Sequence, residues 1–560
     1  MKYLVICGGT VSGIGKGTIV SSIGVILKAC GYKLTAIKID PYLNIDAGTM
    51  SPYEHGEVFV LDDGGEVDLD LGNYERFLNL TLTWDHNITT GKIYKNIIEK
   101  ERRGDYLGKT VQVVPHVTDE IQNWIFRVSQ QPIFDRDTNE ESKPDICLVE
   151  VGGTVGDIEG ATYFEALRQL ILKVGLENVC LIFTSFVPYL RGSGELKTKP
   201  TQHGNKELRS LGLIADMIVC RSEVPLDMAT KEKIALFTNA RPDRVFCCED
   251  VNTVYKVPVQ LESQGISKQI CDKLNIEWRV PNLSRYISYV SLWERLKEDN
   301  TTVTIVIVGK YTESQDAYMS LVKALFHAAM ACKRKLNLTW VESENLENPE
   351  HPDWEKVYQS QGVLVAGGFG GRGAEGKILT VKYARENKKP MLGICLGMQM
   401  AVIEYARNVL GLSANSTEVD EHTENPVIID MPDFDKENKG HTMRLGSKPT
   451  SLTQDSLAYR LYNGSSVVWE RHRHRFEVNP QYITRFEEAG LIFSGKDPTN
   501  TRMEVVELSQ QTHPFFLGTQ YHPEFKTSPF TPSPIYYGFI LAAINLLPSG
   551  LIDSRHIEFN

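Results

Sequence analysis

Residues Tyr3–Thr18 read YLVICGGTVSGIGKGT, an apolar run that breaks into a glycine-rich turn and then a lysine. The run Tyr3–Cys7 suits a strand buried on both faces, and the apolar spacing from Lys16 to Cys30 is helical, with Gly31 as the stop. A strand, a glycine turn and a helix in that order open a parallel α/β sheet. The turn places backbone N–H groups at a positively polarised helix end and Lys16 adds a point charge, so phosphate is the ligand it suits. Two positions depart from the usual phosphate loop. Thr10 stands at the first glycine, and Gly17 follows the lysine where Ser or Thr ordinarily ligates magnesium, so the metal ligands must come from elsewhere.

The same alternation continues outward. Strands are predicted at Leu34–Ile39, Ile146–Val151, Val179–Thr184, Met217–Cys220 and Arg244–Cys247, with helices at Tyr163–Val174 and Ala229–Phe237. This first domain spans 1–265. A helical linker with Pro281 follows over 266–300. A second series then begins with the strand Val303–Val308 and a helix Asp316–Lys333, and continues through strands Gly362–Ala366, Pro390–Ile394 and Phe515–Tyr521 to a helix Ile535–Leu547. The fold class is α/β, two doubly wound domains with mainly parallel sheets, over 1–265 and 301–546, with a tail at 547–560. Polar stretches at Asp135–Lys143 and Asn415–Lys439 read as surface loops.

Composition agrees with two buried cores: 560 residues, 42% hydrophobic and 23% charged. The net charge of -11 argues against nucleic acid or an anionic membrane as partner. Ten cysteines without paired spacing suggest reduced thiols and a cytoplasmic setting. The apolar start is too short for a signal sequence or a membrane span.

Two carboxylates are candidates for the metal: Asp70 in an acid-rich segment, and Glu150 at the carboxyl end of ICLVEV, the edge of a parallel sheet where a cation shared with phosphates belongs. Lys38 ends the second strand. The loop GELKTKPTQH carries Lys197, Thr198, Lys199, Pro200, Thr201 and Gln202, donors that could grip a triphosphate. In the second domain GICLGMQ, Gly393–Gln399, sets Cys395 between an apolar strand and a helix, the form of a nucleophile elbow. A helix N-terminus and an imidazole are the surroundings that make a thiol nucleophilic. Downstream, in TQYHPEF, His522 and Glu524 leave one face of a strand end. Cys395 as nucleophile, His522 as proton carrier and Glu524 as its orienting carboxylate would cleave a carboxamide. The turn Gly367–Gly371 and the N–H of Leu396 could bind the oxyanion.

The strings SGIGKG, KIDPYLN, DLDLGNYERF, VEVGGTVGDIE and GELKTKPTQH closely resemble the synthetase domain of CTP synthases, and the second half resembles class I glutamine amidotransferase domains. The resemblance implies that Ser12, Gly13, Ile14, Gly15, Lys16 and Gly17 hold nucleotide phosphates, that Asp70 and Glu150 bind Mg2+, and that Lys16 and Lys38 assist phosphoryl transfer from ATP. It implies contacts to UTP, or to CTP as product and inhibitor, from Asp157, Ile158, Glu159, Lys197–Gln202 and Lys233. It places glutamine against Gly368, Leu396, Gly397, Met398, Gln399, Glu418 and Arg475, the last in RHRHRFEVN, and it makes Phe369–Lys377 a segment that responds to GTP as activator. Pro52, His55 and Val58 would line an ammonia path, and the family forms homotetramers and, in some members, filaments. Ala366 stands where Pro is expected.

Together these readings describe an enzyme that aminates UTP at C4, with ATP activating the oxygen and glutamine supplying ammonia. Another ATP-dependent ligase with the same glutaminase half would need a different first domain, and an inert binding protein would not need the intact residue set. The identity of the pyrimidine rests on the resemblance alone.

Overall fold

The computed structural model describes residues 1–9, 11–298, 301–432 and 443–547. Thr10, part of the polar stretch ending at Lys439 and the tail from 548 lie outside them. The chain divides into two compact units, one of Met1–Ala47 with Asp70–Ser291, the other of Gly48–Leu69 with Leu292–Asn560.

The first unit is built on seven strands: β1 Lys2–Gly8, β2 Leu34–Asp40, β3 Asn87–Thr89, β4 Ile146–Val151, β5 Val179–Phe186, β6 Met217–Ser222 and β7 Val245–Glu249. Their order is β7-β6-β5-β1-β4-β2-β3, parallel throughout. The six predicted strands form here, while β3 is too short for a sequence pattern to show. Strand β4 is buried along its whole length, as a continuous apolar run between two helical layers must be. Helix α1, Lys16–Ala29, follows β1, and α2, Lys199–Ser210, starts within the polar loop after β5. The segment 266–300, read as a linker, contains the helix Ile266–Leu274, whose apolar face is buried, and a second helix, Ser284–Glu298. Of the two polar stretches read as loops, the first contains the strand Glu140–Ser142 and the second the strand Asn425–Asp430.

The main sheet of the second unit has nine strands: β8 Thr302–Gly309, β9 Lys335–Glu342, β10 Gly362–Val365, β11 Met391–Ile394, β12 Arg444–Leu452, β13 Val467–His474, β14 Leu491–Lys496, β15 Met503–Leu508 and β16 Phe516–Thr519. The order β9-β8-β10-β11-β16-β15-β14-β12-β13 is parallel as far as β16 and antiparallel beyond it. Helices α3, Met319–Ala331, α4, Ala374–Glu386, and α5, Leu396–Asn408, cover the parallel part. No helix among the described residues is long and apolar enough to cross a membrane.

Strand β13 explains the RHRHRF run. Period-two alternation sends Arg471 and Arg473 to one face and His472 and His474 to the other. Arg471 is fully buried; its Nε donates to Asp62 Oδ1 at 2.6 Å and its Nη1 to Val60 O at 3.0 Å. Arg473 Nε donates to Glu66 Oε1 at 2.8 Å. These arginines fasten residues 48–69 to the second unit. A buried guanidinium and its partner are strongly coupled, but Asp62 keeps about a third of its surface in water. We therefore predict that Arg471→Ala costs about 3 kcal/mol, the low end for a broken buried pair. Faster amide hydrogen exchange over residues 48–69 should accompany the lower unfolding midpoint, and unchanged exchange there would contradict the assignment.

Candidate active sites

In the first unit β1 ends in a turn with Gly13 and Gly15 both at positive φ, 69° and 87°, before α1 begins at Lys16. The cleft above it, about 720 Å³, is bordered by Ser12–Thr18, Lys38, Asp40, Asp70, Glu150, Gly152 and Gly153. Lys16 Nζ donates to Gly153 O, and burial lowers its pKa. Lys38 Nζ bridges the two predicted metal carboxylates, donating to Asp70 and, at 3.3 Å, to Glu150 Oε1. Tyr74 OH donates to the other Glu150 oxygen. Burial raises the Glu150 pKa, against the pull of Lys38.

The odd Gly17 now has a physical reason. A Cβ there would lie 2.5 Å from Asp70 Oδ1 and 3.6 Å from Glu150 Oε2. The space that a Ser or Thr hydroxyl would fill belongs to Asp70. Two hard oxygen donors beside a phosphate turn fit magnesium, which takes one or two carboxylates and completes its shell with phosphate and water. Among the described residues no group of three or more His, Cys, Asp or Glu could hold a metal ion.

The nucleotide residues expected elsewhere are placed differently. Among the described residues, none of Asp157–Glu159, Lys197–Gln202 and Lys233 borders the phosphate cleft. Asp157 accepts from Thr154 N at 2.6 Å, close to Gly153. Ile158 and Glu159 line a separate, mostly apolar pocket with Leu43, Tyr94 and Tyr163. Thr198 precedes α2 as its cap residue and accepts from Gln202 Nε2 at 3.0 Å, Pro200 occupies its first turn, and Thr201 accepts from Ser185 at 2.9 Å. Lys197 pairs with Glu195, which also feels Lys233, and Lys199 lies 5.9 Å from the Phe237 ring centre.

In the second unit Cys395 joins β11 to α5 at φ 52° and ψ -103°, a strained left-handed elbow. The elbow closes because Gly397 has no side chain: a Cβ there would stand 2.1 Å from Val365 O. His522 Nδ1 and Glu524 Oε1 are 2.7 Å apart. The imidazole also interacts with the Cys395 side chain. Burial alone would lower the His522 pKa, but Glu524 and Cys395 outweigh it and push it upward. A cavity of about 660 Å³ is bordered by Cys395, His522, Glu524, Gly367, Gly368 and Phe369, and also by Pro52 and Val58. His55 is exposed.

Gly370 N–H donates to Glu418 Oε1 at 2.6 Å, and Arg475 lies 5.2 Å from the Phe369 ring, so both predicted glutamine ligands meet the glycine turn. Leu396, Gly397 and Met398 form the buried first turn of α5. Gln399 is turned inward: its Nε2 donates to Phe476 O at 3.2 Å and Gln520 Oε1 at 3.1 Å. Gln520 itself donates to Cys395 Sγ at 3.6 Å. Sequence reasoning missed Gln520, although it shares the period-two face of His522 and Glu524. It also missed Tyr536, whose OH reaches Glu524 Oε2 at 3.3 Å, and Lys310, whose Nζ donates to Phe369 O at 2.9 Å. Burial pushes Lys310 down to about 8, with Glu418 opposing.

Residues 2–276 match the family described as CTP synthase N-terminus, and residues 313–542 match glutamine amidotransferase class-I. CTP synthase 2 of Xenopus laevis is 53% identical over 97% of this chain and 95% of its own length. The chain belongs to the CTP synthase family. CTP synthase 1 of Danio rerio, 52% identical over 98% of this chain and 94% of its own, and CTP synthase 1 of Homo sapiens, 52% over 98% and 93%, agree. Since family membership spans both units, the two sites belong to one enzyme.

The elbow geometry gives a test. Gly397→Ala must push α5 from β10, and overpacking of this kind costs about 1–3 kcal/mol or more. We expect a lower unfolding midpoint and slower alkylation of Cys395 by iodoacetamide; a variant as stable and as reactive as the parent would contradict the reading.

Proposed function

We propose that this protein is a glutamine-hydrolysing CTP synthase, aminating UTP at C4 at the expense of ATP. One observation carries the proposal: a chain that aligns with CTP synthases over nearly its whole length assembles both a Cys395–His522–Glu524 set and a phosphate cleft walled by Asp70 and Glu150. An alternative glutamine-dependent ligase would share only the second unit.

At the glutaminase site Cys395 Sγ attacks the γ-carboxamide of glutamine. His522, held by Glu524, carries the proton to the departing ammonia. The N–H of Leu396 and those of the glycine turn receive the oxyanion. Gly368, Glu418 and Arg475 frame the substrate, while Leu396–Gln399 support the elbow. Pro52 and Val58 border the Cys395 cavity, which supports a role for their segment in receiving ammonia, with His55 further along it.

At the phosphate cleft Ser12–Gly17 cradle the ATP phosphates by backbone N–H groups at the α1 N-terminus. Lys16 and Lys38 neutralise charge on the phosphoryl group as it passes to O4 of UTP. Asp70 and Glu150 would hold magnesium, which when bound neutralises further phosphate charge. Ammonia then adds at C4 and phosphate leaves. We assign UTP or inhibitory CTP to Asp157–Glu159, Lys197–Gln202 and Lys233, which lie away from this chain's own cleft, an arrangement that suits a homotetramer in which subunits share ligands; filaments would be built from such units. Activation by GTP is placed on the Phe369–Gly373 part of its segment, because α4 begins at Ala374. We place the enzyme in the cytoplasm, where its ten unpaired thiols would stay reduced.

Purified protein given UTP, ATP, magnesium and glutamine should form CTP. Cys395→Ala should abolish that activity yet keep synthesis from ammonium salts, and loss of both in a folded variant would refute the division of labour. Gly17→Ala should do the opposite. By displacing Asp70 it should cut ammonia-dependent synthesis about 100-fold, as misplacement of about 1 Å can, while alkylation of Cys395 by iodoacetamide stays unchanged.

A further inference from the structure

The glycine turn after β10 is clamped from behind. Lys377, at the end of the first turn of α4, is fully buried. Its Nζ donates to Ala366 O at 2.6 Å and reaches Gly367 O at 3.4 Å. Those oxygens belong to the two peptides whose N–H groups are those of Gly367 and Gly368. In a trans peptide C=O and N–H point in opposite directions. An amine that draws both oxygens towards α4 therefore turns both N–H groups the other way.

The catalytic pair lies against this turn: a Cβ on Gly367 would stand 3.4 Å from His522 Cε1 and 3.6 Å from Cys395 Cβ. Gly368 adopts φ +150°, which side chains rarely take, so local preference for one conformation does not hold the turn. Among the described residues Lys377 has no carboxylate within ion-pair distance, and burial drives its pKa well below the usual value. A buried amine is costly unless it is hydrogen-bonded, and an unbranched apolar side chain would fill the same space without that cost. What the amine adds is the direction of two carbonyls.

We propose that Lys377 is a positioning residue of the oxyanion hole, fixing the Ala366–Gly367 and Gly367–Gly368 peptides so that their N–H groups meet the carbonyl oxygen of glutamine under attack by Cys395. It acts through the backbone: the hydrogen bonds of its amine go to carbonyl oxygens, and its link to Cys395 is electrostatic only. The inference rests on the glutaminase reading given above.

The test compares two reactions of one thiol in the full-length chain. Acylation by L-glutamine, followed by mass spectrometry of quenched enzyme with ATP, UTP, GTP and magnesium present, builds an oxyanion. Alkylation by iodoacetamide is a displacement at CH2 and builds none. Lys377→Met should slow acylation and kcat for glutamine about 10- to 100-fold, below the loss of a whole oxyanion donor. KM, iodoacetamide alkylation and ammonia-dependent CTP synthesis should stay close to the parent. Lys377→Gln, which can still donate one hydrogen bond, should lie between, and its ratio of acylation to alkylation decides the matter if Lys377→Met fails to fold. Acylation and alkylation slowed in parallel, a change confined to KM, or undiminished acylation would each overturn this inference alone. A parent chain that glutamine does not acylate would overturn the glutaminase reading and this inference with it.

Discussion

Both sites depend on one backbone constraint: a parallel strand must pass its chain into a helix through a turn whose critical positions only glycine tolerates. At Gly397 the limit is the carbonyl of Val365, and at Gly393 a Cβ would stand 2.8 Å from the Gly397 backbone. In the first unit the limit is conformational, since Gly13 and Gly15 take φ 69° and 87°. Where the constraint is met, the first N–H groups of a helix are exposed to the ligand and carry a partial positive charge. In the proposed function the first unit offers that end to phosphate, and the second offers it to a thiol and an oxyanion, with Cys395 held at a strained positive φ.

The two units treat buried charge differently. In the first, Lys38 stands among Asp70, Glu150 and, at 3.6 Å, Asp40. Carboxylates outnumber the nearest cation there, a balance that leaves the cleft receptive to further positive charge and to a metal shared with phosphate. In the second, Lys310 and Lys377 meet carbonyl oxygens of the glycine turn. Carbonyls offer less compensation than carboxylates, so both amines are pushed towards neutrality.

The parallel strands were legible in the sequence because burial on both faces demands unbroken apolar runs, as in ICLVEV. The antiparallel strands β12–β15 were not. Strand β13, VVWERHRH, is mostly polar: buried Arg471 binds Asp62 far away in the chain, and buried His472 lies 3.1 Å from His474 on the same strand. The attachment of residues 48–69 to the second unit was hidden for the same reason, since Glu57 bonds Ser320 and Glu66 bonds Arg473 across hundreds of positions. The triad was legible because its chemistry is compressed into two short strings. Lys310 and Lys377 act on backbone oxygens, which leave no sequence signal, and the contact of the Gln399 amide with Gln520 leaves none either.

Ala366 shows how such unreadable contacts can replace a readable one. Proline at this position would stiffen the turn by fixing φ, an effect of about 0.4–1 kcal/mol through the unfolded chain. Proline has no N–H, however, and Ala366 N–H donates to Val308 O at 3.0 Å, extending the pairing of β8 with β10 by one rung. A net hydrogen bond of this kind contributes about 0.5–1.5 kcal/mol. The two effects are equal within their spread, so alanine need not loosen the turn. Its peptide groups are held on both sides, the N–H by β8 and the C=O by Lys377. The entry to the oxyanion turn is then set by tertiary hydrogen bonds where proline would set it by covalent geometry, and its rigidity becomes a property of the folded second unit.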